Sequence, residues 1–197
     1  MFLSLPATLA LMIGSEEIVS ALFGYGSFHQ ESVINSAKAL YFFAIGLPAF
    51  ALIKVFSSFF FANHDTKTPF YISIASVIIN VSISISYFKD IGFIIIPIAT
   101  SISSWFNSIV LFLFLKKRKL FQFNKIFIIK FFKIVLGSIL MGFIFHYLIS
   151  IFENKLVYDY DLKLFYLIVS VLLALMFYLI VSFFIKAFNS KDLKLKY

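Results

Sequence analysis

The chain has 197 residues, of which 62% are hydrophobic and 13% charged, with 29 Phe and a formal net charge of +8. Soluble domains are only about 45–50% apolar, and a sphere of this size cannot bury so much apolar surface, which excludes an ordinary soluble enzyme and a disordered tail. The absence of Cys also excludes a disulfide-stapled module and a thiolate metal site, and leaves the redox compartment undetermined.

A helix needs about 20 apolar residues to cross roughly 30 Å of hydrocarbon. Six stretches qualify: residues 2–23, 37–61, 70–88, 93–115, 126–151 and 164–188. The expected fold is therefore an all-α polytopic membrane protein with six transmembrane helices. The first stretch is interrupted by Gly14-Ser15-Glu16-Glu17. It lacks the basic start and small-residue cleavage site of a signal peptide, so it reads as a spanning helix that breaks at Gly14, with Ser15 capping a last short turn. The second carries Gly46-Leu47-Pro48 at its middle and Lys54 about two turns from its end; the fourth has Pro97 near its start. Proline removes a backbone donor and bends a helix, which makes Gly46, Pro48 and Pro97 hinge candidates. Lys54 either snorkels to the headgroups or points into a polar interior.

Polar residues inside spans carry the most information, because each must find a partner in lipid. In the third span Ser73, Ser76, Asn80 and Ser84 recur at 3-4-4 spacing, and in the fourth Thr100, Ser104 and Asn107 recur at 4-3. Each set lies along one helical face. The short connection Lys89-Asp90-Ile91-Gly92 makes the two helices antiparallel neighbours, so the stripes either bond to each other or line a common wet cavity. Asp65 and Thr66 are placed to cap the third span, with Pro69 in its first turn. The fifth span offers Ser138 and Gly142 as a small-residue seam, and the sixth is apolar around its circumference, as suits a lipid-facing helix.

Six spans put both ends on one side, and charge says which. The ends and loops of that side hold Lys54, Lys67, Lys116, Lys117, Arg118, Lys119, Lys125, Lys130, Lys133, Lys186, Lys191, Lys194 and Lys196; the other side holds only Lys38, Lys89, Lys155 and Lys163. Seven of the 9 acids lie on that second side, with only Asp65 and Asp192 on the first. Basic loops stay in the cytoplasm, so both termini are read as cytoplasmic. The run Lys116-Lys117-Arg118-Lys119 follows a span directly and reads as an anchor beside anionic headgroups, not as a nucleic-acid site. His29, His64 and His146 lack a second ligand at metal spacing, and no nucleophile triad, paired carboxylates, P-loop or dinucleotide motif is present. A catalytic role is not expected, nor any cofactor.

Several segments in register carry a family resemblance. Leu22-Phe23-Gly24-Tyr25-Gly26-Ser27-Phe28, then Gly46-Leu47-Pro48-Ala49-Phe50 with Lys54-Val55, then Phe61-Ala62-Asn63-His64-Asp65-Thr66-Lys67-Thr68-Pro69 resemble the MurJ/MviN lipid II flippases of the MOP exporter superfamily. Asn80, Gly92, Ala99-Thr100-Ser101 and Trp105-Phe106-Asn107 continue the match. The resemblance implies a transporter of fourteen spans, with two lobes about a cationic cavity and two further helices forming a groove for the lipid tail. This chain resembles the last six spans: residues 1–119 as a four-helix part of the second lobe and 120–197 as the groove pair with a basic cytoplasmic tail.

The implied partners are membrane lipid, the undecaprenyl-linked peptidoglycan precursor, and a missing N-terminal lobe or second polypeptide, in a bacterial cytoplasmic membrane. The implied coupling is to sodium or to the membrane potential. The family's essential cavity arginines lie in spans absent here, and Arg118 is the one Arg of this chain. The sodium site of some members falls on Asn80, Ser84, Ile96 and Thr100, with Ser84 in place of a carboxylate. Lys54, Asn80, Ser84, Thr100, Ser104 and Asn107 are the transport-cavity candidates, and Asp65, Thr66, Lys67 and Pro69 form the motif loop. Another polysaccharide-lipid exporter of the superfamily, and a non-transporting or truncated membrane scaffold, are the alternative readings.

Overall fold

A computed structural model describes residues 1–120 and 125–186. Among them every regular element is helical: α1 (Ser4–Ile13), α2 (Ser15–Phe23), α3 (Gln30–Ala62), α4 (Lys67–Ile91), a single 3-10 turn (Gly92–Ile94), α5 (Ile95–Lys117), α6 (Lys125–Ile151), α7 (Glu153–Leu156) and α8 (Lys163–Phe184). Lys191, Asp192, Lys194, Lys196 and the last residues of the expected sixth span lie outside the described residues.

Four helical stretches are long and apolar enough to cross a membrane, or five if the bent pair α1–α2 counts as one. The difference from the expected six lies in residues 67–117, one of the four stretches, which contains α4 and α5 folded back on each other. Gly92 makes that reversal possible. Its φ of +74° and ψ of −154° fall in a region that side chains with a Cβ avoid. The protein is thus a multi-pass, all-α membrane protein. Large apolar side chains such as Phe143, Phe165 and Phe183 stand 60–70% exposed, which water would penalise and lipid accepts.

The break expected at Gly14 is present, and α1 and α2 meet there at 79°. Two details differ from expectation. Ser15 makes no side-chain cap bond, since Gly14 itself holds the N-cap position, and α2 is a helix of 9 residues instead of a short turn. Gly14 is required for packing: a β-carbon there would lie 2.8 Å from Cε1 of the buried Phe145 ring.

The helices form two compact groups. Met1–Ala37 packs with α6, α7 and α8, and the rest of α3 packs with α4 and α5. This division differs from the expected boundary at residues 119/120, because α1 lies against α6: a β-carbon on Gly142 would touch Ile13 and Leu9. The core of the first group is Ala21, Met141, Phe145, Ile149, Leu156, Leu167, Ala174 and Tyr178.

Helix α8 is not uniform around its circumference as expected. Lys163, Leu167, Ser170, Ala174, Tyr178 and Ser182 are all buried, a 4-3-4-4-4 series that makes one inward stripe. Gly137 and Ser138 receive it, with a Gly137 β-carbon position 3.5 Å from Tyr178. The expected Ser138/Gly142 seam is therefore divided between two partners, Ser138 lying toward α8 and Gly142 against α1. The Tyr178 hydroxyl, fully buried, donates to the Phe2 carbonyl at 2.6 Å.

In the second group Phe56, Phe60, Ile72, Leu111 and Leu115 form the core. Pro48 lies inside α3, and the turn before it presents carbonyls to α5. Ser101 Oγ donates to Phe42 O at 2.5 Å, and Trp105 Nε1 donates to Ile45 O at 3.0 Å. Both donors are side chains of α5, and both bonds depend on close helix approach at Gly46. A β-carbon there would lie 2.8 Å from Ser101 Oγ and 3.2 Å from Ser101 Cα. Gly46→Leu must therefore displace α5 backbone. Over-packing of this kind costs about 1–3 kcal/mol, so a lowered melting temperature in detergent is expected. An unchanged one contradicts the contact.

Candidate functional site

The α4 and α5 stripes come together as a hydrogen-bonded seam. Asn80 is its centre: Nδ2 donates to Thr100 Oγ1 at 3.1 Å and to Ser103 Oγ at 3.2 Å. The Ser84 hydroxyl reaches Asn80 Oδ1 at 3.5 Å. Most of the other hydroxyls bond their own helix. Thr100 donates to Ile96 O at 2.8 Å, Ser104 to Thr100 O at 2.6 Å, and Ser76 to Ile72 O at 3.0 Å. Such back-bonding is the usual way Ser and Thr are accommodated inside a helix. It leaves the two-donor amide of Asn80 as the group that ties α4 to α5.

The other predicted residues separate by burial. Ser104 and Asn107 are buried, Asn80, Ser84 and Thr100 are half-buried, and Ser73 and Lys54 are exposed. Asn107 Oδ1 is buried without a hydrogen-bond partner. Lys54 does not join the seam. Pro97 is the third residue of α5, where a missing N–H interrupts no bond of that helix, so of the three hinge candidates only Gly46 and Pro48 lie beyond the first turn of a helix. Ser103, Ser101 and Trp105 complete the polar contacts of α5; Ser103 stands out in no sequence pattern, and Ser101 and Trp105 only in the family resemblance. Ser103 adjoins the Thr100/Ser104 stripe in the helix. The other two bond to backbone carbonyls, which leave no trace in a sequence pattern.

The seam does not match the demands of a cation site. The Asn80 amide N–H groups point at the oxygens of Thr100 and Ser103, Thr100 sends its proton to Ile96, and the set holds no carboxylate to neutralise charge. Among the described residues no cluster of three His, Cys, Asp or Glu is placed to hold a metal ion.

At one end of the hairpin lies a second arrangement. Asp65 Oδ1 accepts from the Thr68 backbone N–H at 3.0 Å, and Oδ2 accepts from the Thr68 hydroxyl at 2.6 Å. The expected cap of α4 is thus made by Asp65, while Thr66 holds the N-cap position without a side-chain bond. Pro69 is buried as the third residue of the helix, and Lys67 is exposed. Arg118, just past the end of α5, closes a triangle. Its Nη1 pairs with Asp65 Oδ2, its Nη2 donates to Thr68 Oγ1 at 3.0 Å, and its guanidinium stacks 5.6 Å from the Phe60 ring centre. In sequence Arg118 reads as one more anchoring charge. In the structure it joins the ends of α3, α4 and α5.

A family model described as lipid II flippase MurJ matches residues 1–167. The chain belongs to the MurJ lipid II flippase family. The probable lipid II flippase MurJ of Thermotoga maritima is 37% identical over 156 residues, covering 79% of this chain and 31% of that relative. Its counterpart in Rickettsia prowazekii is 40% identical over 107 residues, 54% of this chain and 21% of the relative. A solved lipid II flippase MurJ, in an inward closed conformation, superposes with a TM-score of 0.75 at 25% identity, covering 94% of this chain and 36% of that one. The chain thus spans about a third or less of the length of these MurJ relatives.

The Thr68 hydroxyl and N–H, and then Arg118, hold the Asp65 carboxyl well below the usual carboxylate range. A group with a depressed folded pKa contributes stability above its unfolded pKa, and loses it as pH falls through the folded value. Asp65→Asn is therefore expected to lower the melting temperature at neutral pH. The difference from the unmodified chain should shrink in strong acid. A difference that stays constant at every pH contradicts this role.

Proposed function

We propose that this MurJ-family chain supplies the C-terminal part of a lipid II flippase. The whole assembly moves the undecaprenyl-linked peptidoglycan precursor from the cytoplasmic to the outer leaflet of the bacterial cytoplasmic membrane. Family membership over residues 1–167 carries the proposal, and the half-buried polar seam at Asn80, Ser84 and Thr100 is the feature that suits a transport path. Flipping requires no covalent chemistry. It requires a cavity that accepts a polar head group and opens to alternate sides, typically by one lobe rocking against another.

On this reading both helix groups, Met1–Ala37 with α6, α7 and α8 and the rest of α3 with α4 and α5, belong to the C-terminal part of the transporter, and the sequence after residue 186 adds a basic tail. The C-terminal end is cytoplasmic, on the side where most Lys and Arg lie. Asn80, Ser84, Thr100, Ser104 and Asn107 line or support the path, Lys54 stands near its cytoplasmic side, and Gly46 and Pro48 let α3 bend. The Asp65-Thr66-Lys67-Thr68-Pro69 loop keeps the cytoplasmic ends in register. Alternation draws on an ion gradient or the membrane potential, with a partner lobe supplying the charged residues this seam lacks. The internal closure of the seam by Asn80 favours one rival, a membrane scaffold in which the stripes only hold helices together.

The test begins with native membranes probed by an antibody against residues 186–197. The expected result is that the polypeptide carrying this epitope is found together with the N-terminal lobe, within one chain or as a co-purifying second chain. Reconstituted together, the two should make lipid II accessible in the opposite leaflet, whereas neither does so alone. A solitary chain without transport would overturn the proposal in favour of the scaffold.

A further inference from the structure

In sequence, residues 2–23 read as one span broken at Gly14. The lengths oppose it. At 1.5 Å per residue α1, with 10 residues, is about 15 Å long, and α2, with 9, is about 13 Å. Bent by 79°, α2 adds only about 3 Å along the axis of α1, so it contributes almost nothing to crossing a hydrocarbon core roughly 30 Å thick.

Both ends of α2 are also tied to one level of the helix group that contains it. At its start, a β-carbon on Gly14 would lie 3.1 Å from Ile149 Cδ1, and Ile149 is two residues from the end of α6 at Ile151. At its finish, the Gly24 carbonyl accepts from Lys163 Nζ at 2.6 Å, and Lys163 is the first residue of α8. The ends of α6 and α8 are joined by the segment 152–162, which contains Glu153, Lys155, Asp159 and Asp161. That charged segment marks the aqueous edge of the apolar layer.

We infer that α2 does not cross the membrane but lies flat at the bilayer interface, on the same side as segment 152–162, with lipid as its partner. The side chains divide accordingly. Ile18, Val19 and Ala21 pack inward. Leu22, Phe23 and Tyr25 are 51%, 61% and 47% exposed and enter the headgroup–acyl boundary, as in other interfacial helices. The exposed Glu16 faces water.

Lys163 anchors this arrangement. Only 1% exposed, it donates also to Tyr158 O at 2.5 Å. The rings of Tyr25 and Tyr158 lie over it at 4.3 and 4.7 Å. The Tyr158 hydroxyl donates to Phe28 O at 2.8 Å, which fixes the rest of the connection to α3. A buried ammonium satisfied by carbonyls and aromatic faces holds the C-terminal end of α2 at the level where α8 begins.

The inference is independent of transport, and the lack of Cys makes it direct to test. The full chain, with Leu3→Cys, Glu16→Cys or Phe23→Cys, would be labelled with an environment-sensitive fluorophore in phosphatidylcholine/phosphatidylglycerol vesicles. Quenching by shallow and deep nitroxide lipids then gives depth. These positions are exposed, so labels do not disturb the core. The expected result is that Glu16 and Phe23 lose more fluorescence to the shallow quencher, and Leu3, at the far end of α1, more to the deep one. Oxygen and nickel accessibility of spin labels at the same positions should give the same order. A profile deepest near residue 16, with Leu3 and Phe23 both shallow, means a continuous span and overturns the inference.

Discussion

Hydrocarbon offers no hydrogen bonds, so a polar side chain inside it must find its partner within the protein. The antiparallel arrangement of α4 and α5 depends on this constraint through Asn80. An amide carries two N–H donors and one carbonyl acceptor. Here both donors are spent across the helix pair, on Thr100 and Ser103, and the acceptor takes the Ser84 hydroxyl. The serines and threonine around it can satisfy themselves on their own backbones, whereas Asn80 cannot. The residue that fixes the pair is thus the one least able to be self-sufficient.

The same constraint acts at other depths through other chemistry. The turn of α3 before Pro48 offers carbonyls to Ser101 and Trp105, so the proline turn is integrated into packing. Beyond the apolar layer, where charge is tolerated, Asp65, Thr68 and Arg118 form a closed triangle of hydrogen bonds that ends the hairpin. In the other group of helices Lys163 solves a harder problem. It buries a cation with two carbonyls and two aromatic rings, and no salt bridge to it is formed among the described residues.

Much of this was legible in the sequence where a local rule applies. Helical spacing placed Asn80, Ser84 and Thr100 on facing sides of neighbouring helices, Gly14 and Gly92 marked a break and a reversal, and Asp65 was placed at the start of α4 as its cap. The remainder depends on contacts between distant residues. Arg118 meets Asp65 across 53 positions, and in sequence it is hidden among lysines that serve as anchors. The buried stripe of α8 is invisible because Ser170, Ala174 and Ser182 are too few to stand out in so apolar a helix. At residues 2–23 a further feature escapes span counting: hydropathy measures composition and not direction, and α1 and α2 meet at 79°.

On the proposed function, the α4–α5 seam borders a water-filled path in the assembled transporter and is not merely a glued helix contact. Single cysteines at Ser84 and Thr100, half-buried at the edge of the seam, can be challenged with a membrane-impermeant thiol reagent, with Ile85→Cys on the exposed side of α4 as the lipid-facing comparison. Both seam positions are expected to react while the comparison stays silent, and lipid II supplied to the assembled transporter is expected to protect them. Silence at Ser84 and Thr100 with the partner lobe present would contradict it.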